Sequence, residues 1–329
     1  MKKVFIDGSA GTTGLRIKER LSQRRDLELV ILPDEVRKDV EARRQALNGA
    51  DVAFLCLPDA AAVEAVSLVG NSDTVVIDTS TAYRVRDDWT YGFPELDGGA
   101  QRARIAAAKR IANPGCHASG FIALVEPLVR AGLLRADASL AATSLTGYSG
   151  GGKKMIAEYD EKLKSKGEAE ERKAENPSFG LDSELQLYLG GRQYALGQTH
   201  KHLPEMVKVC GLSVAPAFIP IVVPHLSGME VTVPVFAKDL RGSVDDLKAC
   251  YRDAYRSGLV RFAEDPSEGG FLSSAKLSGS DALEVSVFGN AERALLVARF
   301  DNLGKGASGA AIQNMNIVLG VDEATGLVR

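Results

Sequence analysis

The sequence has few cysteines and no closely paired ones. Its four, Cys56, Cys116, Cys210 and Cys250, lie far apart and include no C-x-x-C pair, which excludes the disulfide framework of a small secreted domain. The apolar run before Asp7 is shorter than the core of a signal peptide. Both absences predict a reduced protein of the cytoplasm.

An excess of one charge sign is also lacking. The formal net charge is −3, so no broad basic surface is expected and nucleic acid is not a predicted partner. Residues 209–229 carry no Asp, Glu, Lys or Arg, and a run of that length is long enough for a membrane helix. Pro216, Pro220 and Pro224 interrupt it, however, and each removes a backbone donor. We therefore predict buried strands there and no membrane span.

The pattern of apolar residues predicts two architectures. The 329 residues suggest two domains, and the first half alternates strands with helices, which is typical of an α/β domain with a parallel sheet. The second half alternates polar and apolar residues at 230–233 and 284–287, which predicts an antiparallel sheet with one face in water. Strands are expected at residues 3–7, 27–32, 51–57, 74–78, 139–145, 217–223, 229–237, 283–288 and 294–300, and helices at 15–21, 36–47, 60–69, 244–255 and 307–319.

A glycine-rich loop follows the first predicted strand. Gly8, Gly11 and Gly14 are spaced as G-x-x-G-x-x-G, a variant of the dinucleotide fingerprint, in which glycine lets the backbone approach a pyrophosphate at a helix N-terminus. We predict that this loop, with Thr12 and Thr13, binds the cofactor. An ordinary glycine-rich turn is the alternative.

The end of the second predicted strand bears on the choice of cofactor. An NAD site usually has an acidic residue there, whereas an arginine suits the 2′-phosphate of NADP. Asp34 and Glu35 are followed by Arg37 and Lys38. We predict NADP bound through Arg37, and the acidic pair leaves NAD open.

The segment Asn113-Pro114-Gly115-Cys116 precedes an apolar helical pattern. It therefore places Cys116 at a predicted helix N-terminus, where the dipole and free N–H groups lower the pKa of a thiol. This position suits a nucleophile, although a lone cysteine is more often structural. The next residue, His117, is expected to point away along the helix.

Histidine is scarce, yet two of the four lie two residues apart, at His200 and His202. A His-x-His pair can bind zinc, with Glu205 or Cys116 as a further ligand, but no other spacing supports a metal site. Imidazoles near a thiolate fit acid–base chemistry better. We predict no metal.

Short motifs along the whole chain resemble one enzyme family. The dinucleotide loop, the Asn-Pro-Gly-Cys motif, the histidine pair and the long β region together resemble the acyl-phosphate-reducing semialdehyde dehydrogenases, and in detail the short type of N-acetyl-γ-glutamyl-phosphate reductase. The blocks that carry the resemblance are residues 7–14, 56–59, 78–84, 91–96, 113–117, 147–152, 200–205 and 301–309.

The resemblance implies a reaction and roles for individual residues. Cys116 would attack N-acetyl-L-glutamyl 5-phosphate, and hydride from NADPH would reduce the thioester to the semialdehyde, a step of arginine biosynthesis. His200 is the expected acid–base group and His202 a substrate ligand, with an exchange of these roles left open. Further expected site residues are Arg84, Ser149 and Gly150 for the substrate, and Leu57, Pro58 and Ser80 for the cofactor.

The resemblance also implies the domain organisation. A Rossmann domain of residues 1–115 and 303–329 would hold NADP, and an inserted, mostly antiparallel domain of residues 116–302 would carry catalysis and the contacts of a homo-oligomer, a dimer or tetramer. Two alternatives stay open: a related semialdehyde dehydrogenase acting on aspartyl or aminoadipyl phosphate, and a non-enzymatic NADP-binding redox sensor.

Overall fold

The computed structural model describes residues 1–175, 183–256 and 258–329 and contains two β-sheets. The first half forms a sheet of six parallel strands in the order β2-β1-β3-β4-β6-β5. Its elements are β1 (Lys2–Asp7), α1 (Thr12–Leu21), β2 (Leu27–Val30), α2 (Val40–Gly49), β3 (Val52–Leu55), α3 (Asp59–Ser67), β4 (Val75–Asp78), β5 (Thr90–Tyr91), α4 (Gln101–Ala107) and β6 (Arg110–Ala112). The central strands β3 and β4 are buried throughout, Asp78 included, because helices cover both faces. The predicted Rossmann architecture is confirmed.

The second half forms a mixed sheet of seven strands in the order β11-β12-β13-β10-β7-β9-β8. Two of its strand pairs, β7–β9 and β11–β12, are parallel, and the other pairs are antiparallel as predicted. The elements are α5 (Cys116–Arg130), β7 (Ala141–Gly147), α6 (Gly152–Glu175), α7 (Ser183–Leu189), β8 (Arg192–Gln193), α8 (Leu203–Cys210), β9 (Ala217–Val223), β10 (Met229–Phe236), α9 (Val244–Ala254), β11 (Val260–Phe262), β12 (Leu283–Gly289), β13 (Arg293–Phe300) and α10 (Gly309–Val318).

The uncharged segment at residues 209–229 is a strand region. It contains the end of α8, all of β9 and the first residue of β10. Pro220 lies within β9, where an extended backbone accommodates the fixed φ of proline. Among the described residues, no helix is both long and apolar enough to cross a membrane.

The expected alternation between a buried and a wet face is present in only one of two strands. In β10 every second residue is buried, but the first five residues of β12 are all buried. Glu284 in β12 accepts a hydrogen bond from Arg299 of the adjacent strand at 3.0 Å. The prediction of a wet face on β12 is therefore wrong, because a cross-strand ion pair lets the carboxylate be buried.

Two helices connect the second region to the first sheet, one at each end of that region. The helix α5, which begins at the predicted nucleophile, is buried over most of its length against the second sheet. The chain then returns through one π-helical turn at residues 304–308 into α10, whose Ile312 and Met315 join the core of the first sheet. A fully buried ion pair, Lys305 to Glu95 at 2.9 Å, fixes this return. The exact domain boundaries stay a prediction.

Candidate active site

A cavity of about 660 Å³ lies at the carboxyl ends of the parallel strands, between the loops of the two sheets. Open α/β sheets bind ligands at this edge. The predicted site residues in its wall are Gly11, Thr12, Thr13, Leu57, Pro58, Ser80, Arg84, Cys116, Ser149, Gly150, His200 and His202. Gly8 and Arg37 line an adjoining cavity of about 370 Å³, and Leu57 belongs to both walls. The two cavities therefore adjoin at Leu57.

The glycine loop forms a cradle in which Gly8 and Gly14 leave no room for a side chain. Gly8 has φ of +83°, and a Cβ there would lie 2.3 Å from the Cys56 carbonyl oxygen. A Cβ on Gly14 would lie 2.4 Å from the Gly8 carbonyl oxygen. Gly11 is the N-cap of α1 and makes no side-chain cap, so the first N–H groups of the helix are free for an anion. This geometry fits a dinucleotide pyrophosphate, although Gly14 itself shapes the loop from outside both cavities.

The basic pair Arg37 and Lys38 lies in a turn and not in a helix. The expected helix at residues 36–47 starts later, at Val40, because the Asp39 side chain accepts the Ala42 N–H at 2.8 Å and caps it there. The turn leaves Arg37 and Lys38 in the wall of the smaller cavity. Arg37 pairs with exposed Asp34 at 3.3 Å, a weak interaction that an incoming phosphate would displace.

Cys116 is the first residue of α5, as predicted, with Gly115 as the N-cap. Gly306, in the π-helical turn before α10, packs against Cys116, since a Cβ on Gly306 would lie 3.0 Å from the Cys116 Cβ. Ser119, one turn along, donates to the Gly115 carbonyl at 3.1 Å. The thiol is thus held at the meeting point of the two sheets.

The pKa of the Cys116 thiol is not lowered as the helix position predicts. Burial raises it above the ordinary value, while the Arg84 charge and the His117 backbone N–H act in the opposite direction. Here desolvation of the thiolate exceeds the effect of the helix N-terminus, although the Cys116 side chain is only partly buried. Burial raises the pKa of Cys56 further, to about 12, so Cys116 is still the better-placed thiol.

Three imidazoles pack together beside Cys116. The rings of His117, His200 and His202 have centroids 4.7–5.6 Å apart. The expectation that His117 points away along the helix is therefore wrong: its ring is buried and hydrogen bonds both the Ser144 hydroxyl and the Tyr194 hydroxyl at 2.7 Å. Among the described residues, no group of three or more His, Cys, Asp or Glu is arranged to hold a metal ion.

Burial keeps these imidazoles neutral at physiological pH. It lowers the pKa of His117 to about 3 and, together with the charges of Lys201 and Arg84, that of His200 to about 4. The His200 Nδ1 accepts the His202 backbone N–H at 3.2 Å, so the neutral ring carries its proton on Nε2. His200 is therefore a neutral hydrogen-bond donor, while the buried Nδ1 of His202 has no partner.

Arg84 is anchored more firmly than a free substrate ligand. Its guanidinium donates to the Asn113 and Thr79 carbonyls, each at 2.9 Å, and to Glu205 at 3.2 Å. Since a guanidinium has five N–H groups, two remain for the cavity. Arg84 lines the wall, and its bond to Asn113 holds the loop of residues 113–115 before Cys116, here called the nucleophile loop.

Ser149 and Gly150 lie across the cavity from the glycine loop. The Asn302 side chain donates to the Ser149 hydroxyl at 2.9 Å, and a Cβ on neighbouring Gly152 would lie 3.8 Å from the Thr12 hydroxyl. This loop therefore lies next to the pyrophosphate cradle. Ser80, an expected cofactor ligand, lines the cavity, but its hydroxyl already donates a hydrogen bond to the Asp78 carboxylate at 2.6 Å.

Sequence reasoning missed three residues of the wall or its support. Tyr194 reaches His117, Asn302 orients Ser149, and Glu205 receives the Gly115 N–H. Glu205 was considered only as a zinc ligand. The contacts join residues between 77 and 153 positions apart, and no local pattern marks them.

Comparison with known proteins gives the class. The model of the semialdehyde dehydrogenase NAD binding domain matches residues 3–104, and that of the semialdehyde dehydrogenase dimerisation domain matches residues 184–302. The fold is similar to aspartate semialdehyde dehydrogenase II of Vibrio cholerae, with a TM-score of 0.69, 18% identity and coverage of 97% of this chain and 98% of that one. The enzyme of Francisella tularensis has a TM-score of 0.71, 16% identity, and coverage of 97% and 100%. Fold and site thus define a semialdehyde dehydrogenase.

The sequence relatives narrow the class. The chain is 44% identical to N-acetyl-gamma-glutamyl-phosphate reductase 2 of Nostoc sp. over 99% of both chains. It is 43% identical to N-acetyl-gamma-glutamyl-phosphate reductase of Brucella ovis, covering 97% of this chain and 99% of that protein. The chain belongs to the N-acetyl-γ-glutamyl-phosphate reductase family, which confirms the predicted resemblance.

Proposed function

We propose that the protein catalyses the NADPH-dependent reduction of N-acetyl-L-glutamyl 5-phosphate to N-acetyl-L-glutamate 5-semialdehyde and phosphate, in arginine biosynthesis. The observation that carries this proposal is the position of Cys116 in the same cavity as the dinucleotide cradle and the histidine pair. A thiol suits the reaction because its thiolate is both a good nucleophile and a good leaving group.

Cys116 acts first in this proposal. The thiol loses its proton, forms a C–S bond to the acyl carbon and displaces phosphate, which leaves with the electrons of the broken C–O bond. The proton leaves with the phosphate, because the lowered pKa of the buried imidazoles makes them weak bases and Nδ1 of His200 already accepts the His202 N–H. The thiolate released in the last step takes a proton from solvent. NADPH, when bound, supplies the hydride that reduces the acyl carbon.

His200 acts on the oxygen of the reacting carbonyl. A neutral imidazole that donates Nε2–H stabilises negative charge on that oxygen without itself being an imidazolium. When the C–S bond breaks, the aldehyde is released and Cys116 regains its proton. His202, with Nε2 close to Gly115, is the proposed substrate ligand, together with Arg84 and the backbone of Ser149 and Gly150.

The assay for this function runs the reaction in reverse. Oxidation of N-acetyl-L-glutamate 5-semialdehyde should require inorganic phosphate or arsenate, because only these discharge the thioester to an acyl phosphate. The rate with aspartate semialdehyde should be lower by ~100-fold, which corresponds to ~2.7 kcal/mol of differential transition-state binding from one amide and one methylene. NADPH formation is followed at fixed enzyme concentration, with and without phosphate, on each aldehyde.

Two outcomes would redirect the assignment. Faster turnover of aspartate semialdehyde or of the aminoadipyl homologue would favour the related dehydrogenases. Oxidation without phosphate would exclude acyl-phosphate chemistry. A redox sensor that binds NADP would show no turnover of any aldehyde, and Cys116→Ser protein serves as the blank for every substrate.

We also propose NADP, and not NAD, as the cofactor. The motive is the pair Arg37 and Lys38 in the wall of the smaller cavity. Arg37→Ala should raise the KM for NADPH ~10-fold, equivalent to one charge-assisted hydrogen bond of ~1.4 kcal/mol, and leave the KM for NADH within about twofold. Initial rates with each cofactor measure this.

Arg44→Ala is the matched control for that prediction. Arg44 lies in α2, half-exposed and paired with Glu41 at 3.3 Å, and it is outside the wall of the smaller cavity. Its removal should change neither KM. An equal rise of both KM values in Arg37→Ala would indicate a structural role for the turn.

The remaining expectations are part of the same proposal. The segment matching a dimerisation domain supports a homo-oligomer, a dimer or a tetramer, and the lack of paired cysteines in the sequence supports a cytoplasmic location. Sedimentation of the purified protein measures the first.

A further inference from the structure

Glu205 is a buried carboxylate that the proposed chemistry does not use. It lies in the first turn of α8, three residues after His202, and only 1% of its surface is exposed. A buried carboxylate must be compensated by donors. Glu205 has three such donors, and they come from three separate segments of the chain.

The three donors satisfy both carboxylate oxygens. Oε1 accepts the Gly115 backbone N–H at 2.8 Å and the Tyr91 hydroxyl at 2.6 Å. Oε2 accepts an Nη1–H of Arg84 at 3.2 Å. Gly115 is the N-cap of α5, so this bond holds the residue immediately before Cys116.

The side chains of His202 and Arg84 also lie close to Gly115. A Cβ on Gly115 would lie 2.5 Å from His202 Nε2 and 2.4 Å from Arg84 Nη1. The nucleophile loop is therefore enclosed between the imidazole and the guanidinium, and Glu205 binds both the loop and the guanidinium. A carboxylate at this point sets the spacing between Cys116 and the histidine segment.

We propose that Glu205 is a positioning residue: it ties the nucleophile loop and Arg84 to the helix that follows the paired histidines. It also offsets the Arg84 charge in front of the thiol. Arg84 lowers the pKa of Cys116 and Glu205 raises it, so the two charges oppose one another at the sulfur. This inference rests on Cys116 being the nucleophile of the proposed function.

The test is the pH dependence of Cys116 alkylation in the Glu205→Gln protein. The glutamine oxygen can still accept from Gly115 and Tyr91, but the charge that offsets Arg84 is removed. The pKa of Cys116 should fall, and the midpoint of alkylation should move to lower pH by about half a unit, or about threefold in rate at a fixed pH below the midpoint. The other groups that face or surround the thiol are unchanged, namely Lys201, His117, His200, His202 and Tyr194.

Turnover gives a second readout. Because the bond that ties Arg84 to α8 is lost, kcat should fall by about 10- to 100-fold, while the KM for NADPH stays within about twofold. The matched control is Glu126→Gln, which changes another buried glutamate, on α5, whose partner is Arg130 at 3.0 Å. The control should keep both the wild-type kcat and the wild-type alkylation profile.

Two results would overturn the proposal. One is an unchanged alkylation midpoint in Glu205→Gln, and the other is an equal shift in Glu126→Gln. The thiol measurement needs no substrate, so it holds even if the semialdehyde assay assigns a different acyl phosphate. Restoring the original midpoint by adding Arg84→Met to Glu205→Gln would support the opposition of the two charges directly.

Discussion

Cys116→Ser should lower turnover by about 10⁴-fold or more while NADPH still binds. A serine hydroxyl at this helix start is a much weaker nucleophile than the thiol, and its alkoxide is a poorer leaving group in the step that releases the aldehyde. The cofactor cradle at Gly8 and Gly11 follows β1 and does not depend on the sulfur. Single-turnover rates and fluorescence titration with NADPH separate the two effects.

Chemical labelling gives the same prediction without mutation. Brief alkylation followed by peptide mapping should modify Cys116 first and abolish activity in proportion. Because burial raises its pKa, the rate should increase as the pH rises through the alkaline range, and should be low at neutral pH. Cys250→Ser is the control, since its thiol contacts the Pro127 carbonyl outside the cavity; it should remain active. First labelling of Cys56 or Cys250, or an active Cys116→Ser protein, would remove Cys116 from the mechanism.

His200→Asn should lower kcat by about 10²- to 10⁴-fold with little change in NADPH affinity. The substitution removes the Nε2–H that we assign to the reacting oxygen, and losses of this size are usual for a group that acts in proton transfer. Since the pKa of His200 is about 4, the ring is neutral above that value, and activity that depends on the neutral form should fall as the pH drops through it. Steady-state kinetics from about pH 3 to about pH 9, a range that extends about one unit below that value, tests both points.

Two further variants interpret that result. His202→Asn should raise the KM for the acyl phosphate more than it lowers kcat; the reverse pattern would exchange the roles of the two histidines. His225→Asn is the control, because His225 bonds Ser274 and lies outside the cavity wall. If neither the His200→Asn nor the His202→Asn substitution changes kcat, the proposed role of these imidazoles in the reaction is wrong.

Local patterns predicted the parts of the site that depend on backbone conformation. The glycines at positions 8, 11 and 14 and the turn before Cys116 are each set by residues within a few positions, and the structure places both at helix starts. The helix at Val40 began later than its periodicity indicated, because one cap, Asp39, decides the first turn.

Long-range contacts and burial were beyond those patterns. Whether Glu284 faces water depends on Arg299 in another strand. Whether the pKa of Cys116 rises or falls depends on how completely the second sheet and Gly306 enclose it, which no helix-dipole argument contains. The buried position of His117 follows from Ser144 and Tyr194 in the same way.

The π-helical turn at residues 304–308 has a consequence for how the protein comes to be active during synthesis. Cys116 is synthesised well before Gly306, which packs against it, and before Lys305, which forms an ion pair with Glu95. Contacts of such wide sequence separation form late in folding. A nascent chain that stops before residue 304 therefore carries an incompletely enclosed thiol, and the enclosure of Cys116 is completed only after Gly306 has been made.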